Sequence, residues 1–188
     1  NPAEHVSRHI LDSLALLPHL QPASPTALAM SLQFLDVGTG AGLPGIPLAI
    51  AMPDSQWFLL DSNGKKTRFL NQCKIALPLA NITVINERIE NFVPPQGHCF
   101  TGITSRAYAS LTAFTTSTEH LFPDTTGSEE GPLLYAMKGA FPKNEVSELP
   151  NNYKIQRKVK LSVPGCDGER HLLVLSRKPV AVWLSMST

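Results

Sequence analysis

Charge is scarce in this chain, and neither sign dominates. Of 188 residues, 16 are Lys or Arg and 15 are Asp or Glu, a net charge of +1. That balance excludes a globally basic nucleic-acid binder, so any polyanion site has to be local. Cysteine is scarce too. Cys73, Cys99 and Cys166 are odd in number and form no CxxC. This excludes a disulfide framework and a zinc ribbon, and fits free thiols in a reducing cytoplasm. No apolar run reaches the length of a bilayer span, no signal-peptide pattern opens the chain, and there is no internal repeat. His5 and His9 have the i, i+4 spacing of a helical metal pair. No HExxH glutamate and no third ligand accompany them, so no metal is expected. Asn81-Ile82-Thr83 matches a glycosylation sequon, but nothing else implies secretion, and the match reads as coincidence.

What is present points to an ordered domain. Hydrophobic residues make up 43% of the chain, enough for a sizeable core and too many for disorder. The length predicts a single domain over residues 1–188. The chain opens at Asn1 already within a helical pattern, so a preceding segment is expected. HVSRHILDSLALLPHL places Val6, Ile10, Leu14 and Leu17 at a helical period. An apolar run ending near Val37 predicts a first strand, IPLAIAM a short helix, and QWFLLD a second strand. GKKTRFLNQCKIAL predicts an amphipathic helix with Phe69, Leu70, Cys73 and Leu77 inward. ITVIN, a segment ending near Ser105, and PLLYAMKG follow as strands, with SLTAFTTSTEHL a helix and PDTTGSEEG an exposed loop between the last two. NEVSELP reads as a short helix. YKIQRKVKLSV and RHLLVLSRK close the chain as an antiparallel pair. Strands alternating with helices give an α/β doubly wound sheet, mostly parallel, with helices on both faces and a terminal antiparallel hairpin. Many class I S-adenosylmethionine-dependent methyltransferases, a Rossmann-like group, use that arrangement.

Between the first strand and its helix lies LDVGTGAGLPG, Leu35 to Gly45. Glycine costs backbone entropy on folding, so this density implies something that must come close to the backbone. In open α/β sheets ligands bind at the carboxyl ends of strands, where helix N-termini offer free N–H groups. Gly40 to Gly45 formally matches GxGxxG, and Asp61 follows about 20 residues on, which keeps a dinucleotide site and an NAD-dependent oxidoreductase in play. Three details weigh against it. Asp36 precedes the first glycine, Gly38, Gly40 and Gly42 alternate directly after it, and Pro44 and Pro47 delay the helix. Acid-apolar-Gly-x-Gly-x-Gly is instead the pattern of an S-adenosylmethionine loop. There Asp36 would hold the methionine ammonium directly or through water, and Asp61 would accept from the ribose hydroxyls.

Several segments together resemble the bacterial small-subunit ribosomal RNA guanine-N7 methyltransferases, the glucose-inhibited division protein B family. They are RHILDSLAL, LDVGTGAGLPGIPLAI, LLDSNGKKTRFL, ERIE, SRAYASL, MKG and VPGCDGERHLLVL, in family order from Arg8 to Arg177. The resemblance implies a class I methyltransferase fold in which residues 1–30 are the remainder of an N-terminal helical extension. It implies methyl transfer from S-adenosylmethionine to N7 of a guanosine in 16S ribosomal RNA. It carries Gly38 and Leu43 over as cofactor contacts, Ile89 and Glu90 as flanking the adenine, and Arg106 as lying at the methyl end. Lys65, Lys138 and Arg170 fall in motifs tied to RNA engagement or activity. Departures are Asn63 where a small apolar residue is common, TTSTEH in place of a more hydrophobic helix face, GSEEGP lengthening a loop, and a tail, 180–188, without counterpart.

Guanine N7 carries a lone pair and no proton, so no general base is expected and orientation has to do most of the work. N7 lies in the deep major groove of A-form RNA, so the target guanosine has to be unpaired or splayed. Its phosphates need local cations. Lys65 and Lys66 after the second strand, Lys138 ending the fifth, Arg170 and His171 opening the last, and Arg8 on the first helix would supply a basic rim. A non-enzymatic RNA-binding module is a third reading. Arg106 could instead pair with Glu90 or Asp36, and Tyr108 could stack on the base or cover the core. The expected partner is 16S ribosomal RNA or the small ribosomal subunit, with a cytoplasmic, monomeric enzyme and no membrane.

Overall fold

β1 (Gln33–Val37) and β2 (Gln56–Leu60) show how the sequence builds the molecule. Along each, successive side chains point to opposite faces. Phe34, Trp57 and Leu59 join one core, and Leu35, Val37, Phe58 and Leu60 join the other. Both faces are apolar, so helices must cover both. A computed structural model describes residues 6–20, 32–96, 98–123, 131–166 and 168–179. His5, the loop 124–130 and the tail 180–188 lie outside the described residues, as does the side chain of Arg8.

Seven strands form one sheet in the order β3-β2-β1-β4-β5-β7-β6. β3 is Ile82–Ile85, β4 Gly102–Arg106 and β5 Leu133–Lys138; the five strands from β3 to β5 in that order pair in parallel. β7 (His171–Arg177) runs antiparallel to both β5 and β6 (Tyr153–Lys160). The closing pair is antiparallel, as its sequence predicts, with its second strand inserted inside the first. Composition explains the order. His-Leu-Leu-Val-Leu-Ser-Arg is buried throughout its middle and suits a central place, whereas β6 alternates half-buried and exposed positions along most of its length and carries Lys154, Arg157, Lys158 and Lys160. Lysines on an edge strand discourage pairing with another chain.

α1 (Asp12–Leu14), α2 (Gly45–Ala51) and α3 (Gly64–Ala76) lie on the Trp57 face, which buries Leu16, Leu48 and Leu70. α4 (Leu111–Thr118) covers the other face with Leu111 and Phe114, and α5 (Lys143–Ser147) follows β5. Asn81 joins three segments at the amino edge. Its buried amide donates to the carbonyls of Ala49 (2.9 Å), Met52 (3.3 Å) and Ser55 (3.1 Å). Among the described residues no helix is long and apolar enough to cross a membrane.

Two helical faces differ from the sequence expectation. In the N-terminal segment Ile10 is 41% exposed, and Leu16 and Leu20 are the buried anchors. The segment changes pitch twice, from wide turns at Val6–Leu11 through α1 to a tight turn at Leu17–His19, so no single 3.6-residue period applies along it. In α3, Leu70 is buried and Cys73 half-buried, but Phe69 and Leu77 are 47% and 49% exposed. Phe69 lies a quarter-turn off the inner face, and Leu77 is the C-cap, past the last turn. Thr67 takes the inward place instead.

Candidate cofactor site at the carboxyl edge of the sheet

The glycine loop leaves β1 at Val37 and stays against β2. The N–H groups of Gly38 and Thr39 both donate to the Leu60 carbonyl, at 2.9 and 3.1 Å. Gly38, Gly40 and Gly42 all take positive φ, at 66°, 62° and 83°. At Gly38 a Cβ would stand 2.5 Å from Cδ2 of Tyr108, and at Gly42 it would run into the Ile46 side chain. Gly45 is required for space, because its Cβ would run into Leu59 and into the Asp36 carboxylate. Leu43 and Gly42 complete the loop by donating to the Thr39 carbonyl, at 3.0 and 2.9 Å.

Asp36 sits beneath this loop, fully buried. Oδ2 accepts from Thr39 Oγ1 (2.6 Å) and from the Gly45 N–H (2.9 Å), and Oδ1 accepts from Thr104 Oγ1 (3.1 Å). Its carboxylate therefore organises the loop and the start of α2 and is not among the residues that line the cleft. Burial pushes its carboxyl up from the ordinary 3.8 to about 6, against the three donors and Arg106, which favour ionisation. Between those values the folded protein holds a proton that the unfolded chain has released. Stability therefore falls as pH rises through that window and is level above it. In urea unfolding from pH 4 to pH 7, Asp36→Asn should gain on the wild type by about 3 kcal/mol, since each pH unit of pKa difference is worth about 1.4 kcal/mol. A gap that does not change with pH would contradict this.

A cleft of about 300 Å³ opens beside the loop. Gly38, Asp61, Lys66, Ile89, Glu90 and Tyr108 line it, so four of the sequence-predicted cofactor residues, Gly38, Asp61, Ile89 and Glu90, come together there. Gly40, Gly42, Leu43 and Arg106 are not on its wall. Gly40 reaches it through its N–H, which donates to Asp61 Oδ2 at 3.0 Å. Asp61 also accepts from the Asn63 N–H at Oδ1 (2.9 Å) and pairs with Lys66 Nζ (3.3 Å). A carboxylate has about four acceptor sites, so three donors leave capacity for a hydroxyl. Lys66 faces this acid, which answers the unfavourable placing of a cation at the start of α3. Asn63 caps that helix by accepting from the Lys65 N–H at 2.9 Å.

Tyr108, weighed from the sequence as stacking on the base or covering the core, belongs to the cleft wall against Gly38. Its adjacency to Gly38 comes from the β1–β4 pairing, and no local pattern signals it. Ala107 beside it holds φ at +53°. The short loop from Arg106 to Ser110 is tied down by Lys138, whose Nζ donates to the Ala109 carbonyl (2.7 Å) and to Glu145 Oε2 (2.8 Å). Glu145 in turn accepts from the Leu111 N–H at 2.7 Å.

The expected basic rim lies on one edge, and most of its cations are engaged within the protein. Lys65 is exposed. Lys138 is 15% exposed and bound as above. His171, paired with Lys138 in the sheet register, has Nδ1 2.8 Å from the Gly139 carbonyl oxygen. Arg170 pairs with Asp12 at 3.2 Å. Arg106 pairs with Asp12 as well, at 3.0 Å, and its charge also acts on Asp36.

The site is thus a glycine loop covered at Gly38 by a tyrosine, with an acid following the neighbouring strand. The profile of one family, described as GidB, rRNA small subunit methyltransferase G, matches residues 1–173. The chain belongs to that family. It is 49% identical over 177 residues to Ribosomal RNA small subunit methyltransferase G of Hahella chejuensis, covering 94% of this chain and 74% of that protein. Against the protein of the same name from Pseudomonas paraeruginosa, identity is 47%, with 94% and 75% covered. Among solved structures, a SAM dependent methyltransferase from Aquifex aeolicus superposes with a TM-score of 0.64 at 15% identity, covering 92% of each chain. TrmK of M. capricolum, in complex with S-adenosyl-homocysteine, gives 0.58 at 13% identity, covering 88% and 74%. These two likenesses carry the fold alone, and the class I methyltransferase sheet predicted from the sequence is the one observed. Family membership sets aside the oxidoreductase reading of GxGxxG.

Proposed function

We propose that this chain transfers a methyl group from S-adenosylmethionine to N7 of a guanosine in 16S ribosomal RNA. The observation that carries the reading is the cleft in which bare backbone at Gly38 and the carboxylate of Asp61 face each other beneath Tyr108. When bound, S-adenosylmethionine supplies an electrophilic methyl on a sulfonium. The protein's part is to orient. Gly38 gives the backbone close approach, Asp61 accepts from ribose hydroxyls, and Ile89 and Glu90 border the adenine. Because N7 has no proton to lose, no side chain needs to act as a base, and proximity supplies most of the rate. Lys65, exposed at the start of α3, is placed for a phosphate. The working unit is a monomer in the cytoplasm, acting on ribosomal RNA or the small ribosomal subunit through a single domain.

The test is transfer of a labelled methyl group to small-subunit particles lacking the modification. About one label per particle, recovered as 7-methylguanosine after nuclease digestion, is expected, because the protein must select a splayed base. Label recovered on another base atom would overturn the N7 assignment, and binding of S-adenosylhomocysteine without any transfer to RNA would overturn the substrate.

A further inference from the structure

Asp12 has no role in the reading above, yet it is only 4% exposed and lies against two arginines. Oδ2 accepts from Arg106 Nη1 at 3.0 Å. Arg170 Nε stands 3.2 Å from Oδ1, out of hydrogen-bond alignment, so that among the described residues charge alone compensates this buried oxygen. Arg106 ends β4 and Arg170 immediately precedes β7, with β5 between them in the sheet. One carboxylate from the N-terminal segment thus spans β5 and brings two like charges to one place.

Anchoring does not account for it. Leu16 and Leu20 of the same segment are already buried in the Trp57 core, and apolar packing holds a segment at least as well as a buried ion triad. Arg106, by contrast, leads directly into Ala107, at a positive φ, and Tyr108 on the cleft wall. Residues held in such sparsely populated conformations persist only where their surroundings over-determine them, and they cluster at functional sites.

We infer that Asp12 is a positioning residue for methyl transfer: it pairs Arg170 with Arg106, the residue that leads into Ala107 and Tyr108 on the cleft wall, which makes the N-terminal segment part of the site. The inference rests on the proposed transfer to ribosomal RNA. Asp12→Asn keeps the shape and removes the charge. It should leave S-adenosylhomocysteine affinity within about threefold, because Gly38 and Asp61 are untouched, and lower kcat on small-subunit particles roughly 10- to 100-fold with KM for the cofactor unchanged. Asp12→Glu should restore part of the loss. D12N/R106A should be no slower than R106A alone, since residues acting as a unit are non-additive. Leu16→Ala is the control: it loosens the same segment and should lower Tm while keeping kcat within about threefold below the transition.

Losses that multiply in D12N/R106A, a kcat for Asp12→Asn within about threefold of wild type, or an equal loss in Leu16→Ala would each overturn the positioning role. A wild type that binds S-adenosylhomocysteine and methylates no small-subunit RNA defeats the functional reading, and the catalytic half of the inference with it. The thermal cycle of D12N, R106A and the double variant then still decides the pairing, which additive Tm shifts would refute.

Discussion

Gly38→Asp is expected to weaken S-adenosylmethionine binding by about 100-fold, near 2.7 kcal/mol, with a folded protein left behind. The residue sits at φ 66°, with its Cβ position 2.5 Å from the Tyr108 ring. Aspartate tolerates that backbone region better than most residues, at a cost of about 1 kcal/mol. Tyr108 is 37% exposed and can swing away, so the fold survives. The cleft does not. Its narrowest wall moves, and a fourth carboxylate joins Asp61, Glu87 and Glu90 in the same 300 Å³. Calorimetry on both proteins reads the outcome, and Gly38→Ala, which adds only the Cβ, should fall between them. If Gly38→Asp binds within about threefold of wild type, the glycine loop is not a wall of the cofactor site.

Gly45→Val should fail in the opposite order, losing the fold before the site. The added Cβ would enter space held by Leu59 and the Asp36 carboxylate, both fully buried. Neither can retreat. Leu59 is in the middle of β2 under α2, and Asp36 is fastened to Thr39, Thr104 and Gly45 itself. Overpacking costs about 1–3 kcal/mol and more when backbone must shift. A loss of about 3 kcal/mol lowers Tm by about 6–12 °C for a domain of this size. Thermal unfolding without ligand measures it; a shift under about 2 °C would mean that the start of α2 is looser than its contacts imply.

The two substitutions mark what was legible in the sequence. Spacing alone gave the position of the loop, because glycines at alternate positions after an acid have few other uses, and the apolar run of β7 announced a buried strand. The loop's internal division of labour was not legible. Asp36 and Asp61 look alike as strand-end acids and both are buried; only their partners and the lining of the cleft separate the one beneath the loop from the one on the wall. The contact of Tyr108 with Gly38, and any role for Asp12, were out of reach for another reason. Tyr108 meets Gly38, and Asp12 meets Arg106 from 94 residues away, through sheet order and segment packing that no local pattern encodes. Lys138 read as a free cation because a sequence shows charge without showing its partner, here Glu145. Phe69 and Leu77 misled because periodicity assigns a face without saying how far the neighbouring sheet extends under it.

The amide of Asn81 adds a consequence about where such a chain can mature. Asn81-Ile82-Thr83 has the form of an acceptor for an N-linked sugar, and the side-chain nitrogen that would bear it is buried and committed to three backbone carbonyls. Passed through the lumen of a eukaryotic secretory compartment, the nascent chain would meet the glycosylating enzyme before this corner closes. A glycan attached then would occupy the place of the Ala49, Met52 and Ser55 contacts, and the amino edge of the sheet could no longer seal. The folded protein, once formed, buries Asn81 and Ile82 and leaves only Thr83 of the tripeptide exposed.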